Sequence, residues 1–250
     1  MKMSVQAMFD LGVQCLRAVN VPEKTAQCVS KALLKAELDG MPSHGFVRIP
    51  FYAAQVRSGK LRAWVRPVVT HPAPATTLVN ARYGFAFPAI EEGLELAVPL
   101  ARQYGIALLG VQNSHHCGML GHYVEDVARQ GLVCLAFSNT PAAMAPWGGR
   151  RASFGTNPLA FACPRSLDGE KEPIVVDMSL SKVARGKILA ARERGDKCIP
   201  AGWALDSNGR PTENPDAALK GTMVPMGDAK GAALALVVEI LAATLTGSNH

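Results

Sequence analysis

Two stretches at the start of the chain repeat apolar residues at helical spacing. Val5, Met8, Phe9, Leu11 and Val13 recur over residues 4–20, and Ala26, Val29, Ala32 and Leu33 over 22–38. Pro22 suits the first turn of the second helix and Gly40 its stop. Residues 43–48 predict a tight turn or short helical piece, and Pro50 opens a third helix ending near Gly59. Residues 1–60 therefore read as a helical N-terminal subdomain. The pattern then changes. Short apolar runs at 76–79, 106–111, 132–138, 159–163 and 174–177 read as strands. Helical patterns cover 87–104 and 118–130 between them, and 181–193 and 230–246 after them. Strands alternating with helices predict a layered α/β domain over 61–250. Residues 195–228, rich in Gly, Pro and Asp, read as a surface excursion with one short helix near 215–219.

Composition narrows the class. Of 250 residues, 48% are hydrophobic and 18% charged, a balance typical of globular domains with a sizeable core. The formal net charge is +6, but Lys and Arg are scattered, with no block of like charge. That argues against nucleic acid as the partner and fits a small anionic substrate, or surface charge of no function, equally well. Cys15, Cys28, Cys117, Cys134, Cys163 and Cys198 contain no C-x-x-C pair, and the charged, amphipathic N-terminus is no signal sequence. They read as reduced thiols in a cytoplasmic protein. The longest apolar stretch, 231–245, is interrupted by Glu239 and is too short to span a bilayer. No G-x-G-x-x-G follows a strand, and no phosphate-binding G-x-x-x-x-G-K-[ST] occurs.

Four segments carry chemistry. In Ser43-His44-Gly45-Phe46-Val47-Arg48, histidine can exchange a proton near neutral pH, and helical spacing would bring Arg48 to the same face. A guanidinium grips a carboxylate through two parallel hydrogen bonds. A capping serine beside a buried, hydrogen-bonded histidine accounts for the same residues without catalysis. Ser114-His115-His116-Cys117-Gly118-Met119 then forms a polar loop before a helix, whose first N–H groups can hold phosphate. His115, His116, Cys117 and His122 are also possible zinc ligands, although their spacing matches no established zinc pattern and no glutamate flanks them as a hydrolytic base. Phe154-Gly155-Thr156-Asn157-Pro158 reads as a ligand-facing loop or an ordinary turn. Asp177-Met178-Ser179 ends a strand, and Arg185-Gly186-Lys187 follows.

Together these segments resemble the type 2 malate/L-lactate dehydrogenase family, which includes sulfolactate dehydrogenases and cyclic imino-acid reductases. The resemblance runs from about residue 5 to the end. It implies an α/β/α layered domain with a mixed sheet, distinct from the Rossmann fold, and NAD or NADP as cofactor. It makes His44 the acid/base at substrate C2 and Ser43 the group that orients it. Arg48 would bind the substrate carboxylate, and His116, Thr156 and Arg185 would line the substrate. His116, Cys117, Gly118, Met119, Leu120, Asp177, Met178, Ser179 and Lys230 would face the cofactor, with no metal required. Gly227-Asp228-Ala229-Lys230-Gly231 departs from the family's Gly-Gly-His-Lys-Gly, so only Lys230 carries over. Lys187 stands where imino-acid reductases carry an aspartate. An added cation favours a substrate with a second anionic group. The expected activity is hydride transfer on malate, lactate or sulfolactate by a homodimer with no membrane or nucleic-acid partner. Cyclic imine reduction, zinc-dependent hydrolysis and an inactive fragment are the alternatives. Family members continue well beyond this length, so the cofactor-binding domain reads as incomplete at its C-terminus. If the chain ends at His250, the helix over 230–246, apolar nearly all round, should leave one side open.

Overall fold

The computed structural model describes residues 3–166 and 170–248. The chain divides into two compact units, one running through His122 and taking in 246–248, the other running from Tyr123 to Leu245. The expected helical start lies within the first unit, which continues past residue 60 to include a sheet. The chain's last residues, Asn249 and His250, lie outside the described residues.

In the first unit, α1 (Val5–Arg17) starts where the Ser4 hydroxyl accepts the Ala7 N–H. It packs on α2 (Glu23–Leu38). Gly40, at φ +71°, ends α2, with Gly40 N–H donating to the Glu37 carbonyl and Met41 N–H to that of Ala36. Two 3₁₀ turns, Pro42–His44 and Phe46–Arg48, lead into α3 (Ile49–Arg57). Next come β1 (Val68–Ala73), β2 (Thr76–Asn80), α4 (Ala86–Tyr104), β3 (Leu108–Gln112) and the start of α5 (Leu120–Ala128). β1 pairs antiparallel with β2, and β2 parallel with β3, so this sheet is mixed as expected. The sequence pattern missed β1, an exposed edge strand whose Pro72 breaks the apolar alternation. α4 lays Ala89 on Val79 of the central strand and on Ala81 just beyond it, backed by Leu109 and Val111.

The second unit completes α5 and adds β4 (Cys134–Phe137), β5 (Leu159–Cys163) and β6 (Ile174–Met178), an antiparallel sheet. There follow α6 (Arg185–Arg194), β7 (Ala204–Leu205), β8 (Pro211–Thr212), α7 (Pro215–Lys220), β9 (Thr222–Met223) and α8 (Ala229–Glu239). A π-helical turn, Ile240–Thr244, extends α8. The expectation for 195–228 needs correction. It is no surface excursion: β8, β7 and β9 form a small sheet, and Ile199, Ala204, Ala218 and Met223 join Met144, Leu180, Ile188 and Val238 in a buried core. Gly and Pro there serve the tight turns between short strands. The helix over 230–246 does show an open side, with Leu236, Val237, Ile240 and Leu245 exposed.

Candidate active site

Glu37, near the end of α2, shapes the segment that carries the first candidates. Its carboxylate accepts the Phe46 N–H at 2.9 Å, and a Cβ on Gly45 would overlap that carboxylate. Only glycine lets the backbone approach so closely. At Gly45 (φ −91°, ψ −147°) the backbone leaves the helical region, so the stretch is two turns rather than one. His44 and Arg48 are not aligned by helical spacing. Instead Arg48 folds back, and its Nε donates to the Ser43 carbonyl at 2.6 Å. The guanidinium's outer Nη edge is the part that can meet a carboxylate. The Ser43 hydroxyl lies 3.0 Å from His44 Nδ1.

His115 and His116 reach the same neighbourhood through β3. The loop after it is pinned by backbone bonds: Tyr83 N–H to the Asn113 carbonyl (2.6 Å) and His115 N–H to that of Gly84 (2.9 Å). Asn113 and Tyr83 both take positive φ. The His44 and His116 rings stack with centroids 5.7 Å apart and planes 26° apart. Tyr52, on α3 and 2% exposed, brings its hydroxyl within 2.8 Å of His116 Nδ1. Gln55 Oε1 is hydrogen-bonded to His115 Nε2. Sequence reasoning missed both α3 residues. The available signal was the recurrence of Arg48, Tyr52 and Gln55 at spacings of four and three, with Tyr52 buried alongside Ile49, Ala53 and Val56.

Electrostatics follow the geometry. Burial, reinforced by the Arg48 charge and then by His44 and His115, pushes His116 down to about 3. Burial, with Lys60 and Arg48 behind it, pushes His115 down to about 4. Both rings are neutral near pH 7. Burial raises the Tyr52 hydroxyl above its usual range, so it keeps its proton. The zinc arrangement is not assembled. His122 is buried with its Nε2 3.0 Å from Asp39 Oδ2, and among the described residues no three His, Cys, Asp or Glu side chains come together as ligands. Cys117, Gly118 and Met119 precede α5, which begins at Leu120 rather than at Gly118.

In the second unit, backbone bonds gather the remaining candidates around Leu180. Its N–H donates to the Thr156 carbonyl (2.7 Å), and its carbonyl accepts from Met226 (2.8 Å). Thr156, the Asp177-Met178-Ser179 strand end and the turn before Lys230 are thus neighbours. The Thr156 hydroxyl lies 3.3 Å from that of Thr140, and the Ser179 hydroxyl 3.2 Å from that of Ser181. Asp177 and Lys230 are exposed. Arg185, also exposed, is tied by its guanidinium to the Leu219 carbonyl at 3.0 Å. Lys187 is exposed on α6 and lines a shallow depression with Arg194, Asp196, Cys198 and Trp203. The α8 N-terminus has no side-chain cap, and a Cβ on Gly231 would strike the Met226 carbonyl. Uncapped helix N–H groups beside Lys230 suit a dinucleotide phosphate, so these residues fit a nicotinamide cofactor.

A profile of the malate/L-lactate dehydrogenases matches residues 3–250. The chain belongs to that family. It is 54% identical over 246 residues, 98% of its length, to (2R)-3-sulfolactate dehydrogenase (NADP(+)) of Chromohalobacter salexigens, and covers 72% of that protein. To the L-sulfolactate dehydrogenase of Methanothermobacter thermautotrophicus it is 37% identical, covering 99% of this chain and 71% of the other. The solved Δ1-piperideine-2-carboxylate reductase of Pseudomonas syringae superposes with a TM-score of 0.95 at 38% identity, over all of this chain and 74% of that one. The family member described here is thus a nicotinamide-dependent oxidoreductase of small acids with an α/β fold.

Proposed function

We propose that this protein interconverts a small 2-hydroxy acid and its 2-oxo acid, with a second anionic group on the substrate as in sulfolactate or malate, and that NADP serves it. The observation that carries the reading is the stacked His44–His116 pair in the field of Arg48. The similarity to an NADP-dependent sulfolactate dehydrogenase supports the substrate class and the cofactor. When bound, the nicotinamide supplies or takes the hydride at substrate C2. In the first unit His116, Cys117, Gly118, Met119 and Leu120, and in the second Asp177, Met178, Ser179 and Lys230, are the candidates for cofactor contacts. His44 accepts the hydroxyl proton during oxidation and returns it to the carbonyl oxygen during reduction, oriented by Ser43. The Nη edge of Arg48 holds the carboxylate. His116, low in basicity, is no proton donor near pH 7 and acts as a neutral hydrogen-bond partner. Thr156, Arg185 and Lys187 are the second unit's candidates for substrate contacts, Lys187 by attracting a second anion. A homodimer and a cytoplasmic location belong to the same reading. None of the six cysteines is disulfide-bonded, which supports the location.

The likeness to a piperideine-carboxylate reductase favours a second reading, reduction of a cyclic imine. Steady-state assays with sulfopyruvate, oxaloacetate, pyruvate and piperideine-2-carboxylate, each with NADH and NADPH, decide between them. The expected result is highest kcat/KM on a dianionic 2-oxo acid with NADPH. Turnover of the cyclic imine alone would overturn the hydroxy-acid reading.

A further inference from the structure

We propose that Tyr52 is a positioning residue: with the Gly118 backbone N–H it fixes His116 as the tautomer protonated on Nε2, making that ring a permanent hydrogen-bond donor to a substrate carbonyl or carboxylate oxygen. The identity of the recipient rests on the function proposed above; the tautomer does not.

The argument turns on what each group can do. A backbone N–H only donates, and that of Gly118 lies 3.2 Å from His116 Nδ1. Nδ1 must therefore present its lone pair. The Tyr52 hydroxyl, 2.8 Å from the same nitrogen, donates to it as well. A neutral imidazole carries one proton, so that proton sits on Nε2. Both donors are rigidly placed. Gly118 takes φ +74°, and a Cβ there would meet the Phe87 ring, so the loop admits no bulkier residue that could turn the N–H aside. Tyr52 is locked by edge contacts with Phe85 and His115 at centroid distances of 5.8 and 5.0 Å. The charged and titratable groups facing His116 are Arg48, His44 and His115, and all of them oppose a second proton on the ring, as does burial. The same helix treats the neighbouring histidine alike, since Gln55 Oε1 takes the Nε2 proton of His115, whose Nδ1 is buried with no hydrogen-bond partner among the described residues. One face of α3 thus sets the protonation state of both rings while presenting Arg48 at its head.

The test is ¹⁵N NMR of the ligand-free protein labelled at histidine nitrogens, with His116 assigned by its loss in His116→Gln. The expected spectrum shows a bare Nδ1 and a protonated Nε2 that persist well below neutral pH. Tyr52→Phe should move the His116 titration to higher pH, populate the other tautomer, and lower kcat about tenfold with little change in KM, the worth of one well-placed hydrogen bond. His116→Gln, whose amide nitrogen can reach the Nε2 position, should retain more kcat than His116→Asn, whose amide falls at Nδ1. A proton on Nδ1 in the wild-type protein, or a Tyr52→Phe protein with unchanged titration and kcat, overturns the proposal. Should Tyr52→Phe fail to fold, the wild-type spectrum and the Gln/Asn pair decide it. The expected spectrum in a protein inactive on every acid tried would support the tautomer and overturn the functional reading instead.

Discussion

In the first unit, α3 reaches the partly buried, titratable rings of His116 through Tyr52 and His115 through Gln55. In the second, the buried ionisable group Glu239, 8% exposed, is held by amides that do not titrate. Asn157 Nδ2 donates to its Oε2 at 2.7 Å and Asn139 Nδ2 to its Oε1 at 3.3 Å, while Asn157 also ties the Ala235 carbonyl and the Thr140 N–H. The candidate side chains of that unit, Asp177, Arg185, Lys187 and Lys230, stay exposed, and the backbone bonds at Leu180 gather the segments that bear Thr156, Ser179 and the turn before Lys230. The difference teaches where each kind of work is done. Side chains of tuned basicity need a packed, partly desolvated setting. A surface that meets a polyanion needs backbone donors and cations in reach of water.

The sharpest way to break this contrast is His44→Asn. Turnover should fall by about 10²–10⁴-fold, the usual contribution of a general acid or base, with an unchanged unfolding midpoint. Near-normal turnover would remove the proton-transfer role from the first unit. Acid should next distinguish the units. His115 and His116 are depressed to about 4 and about 3 from 6.5, so between these values and 6.5 the unfolded chain binds more protons than the folded one. Their contribution to stability is therefore complete above about pH 6.5 and declines as pH falls toward 3. Denaturant titrations from pH 7 to 4 check this, and replacing His115 by Gln should flatten the slope.

Asn157→Ala probes the other unit. It strips one donor from the buried Glu239 carboxylate and should cost about 2–3 kcal/mol in chemical denaturation. Glu239→Gln, which needs no charge compensation, should be far milder. Equal losses would mean that packing, not the carboxylate, carries the network. Arg48→Lys should raise substrate KM about tenfold and leave nucleotide affinity alone, because an ammonium cannot reproduce the fork; isothermal titration with NADPH measures the second half. Smallest is Lys187→Asp, expected to cost a few-fold in kcat/KM on a dianionic acid and less on pyruvate, as one exposed charge in water is well screened. An unchanged preference would take Lys187 out of the substrate end.

Hydrophobic periodicity alone determined the two leading helices, α4, and the strands at 76–80, 108–112, 134–137, 159–163 and 174–178, because each carries apolar residues at helical spacing or in a short run. The family resemblance of the motifs, more than the residues alone, marked Ser43, His44, Arg48 and His116 as a group. Three-dimensional packing decided the rest. Nothing local says that Arg48 will turn back onto the Ser43 carbonyl, that the Glu37 carboxylate will pack against Gly45, or that Tyr52, sixty-four residues away, will meet Nδ1 of His116. The short strands of 204–223 were illegible for the same reason: two residues carry no period, and only the core around Met144 and Leu180 makes them strands. Sequence pattern records which face of an element is apolar. Which polar atom finds which partner depends on contacts between residues far apart in the chain, and these exist only once the cores have closed.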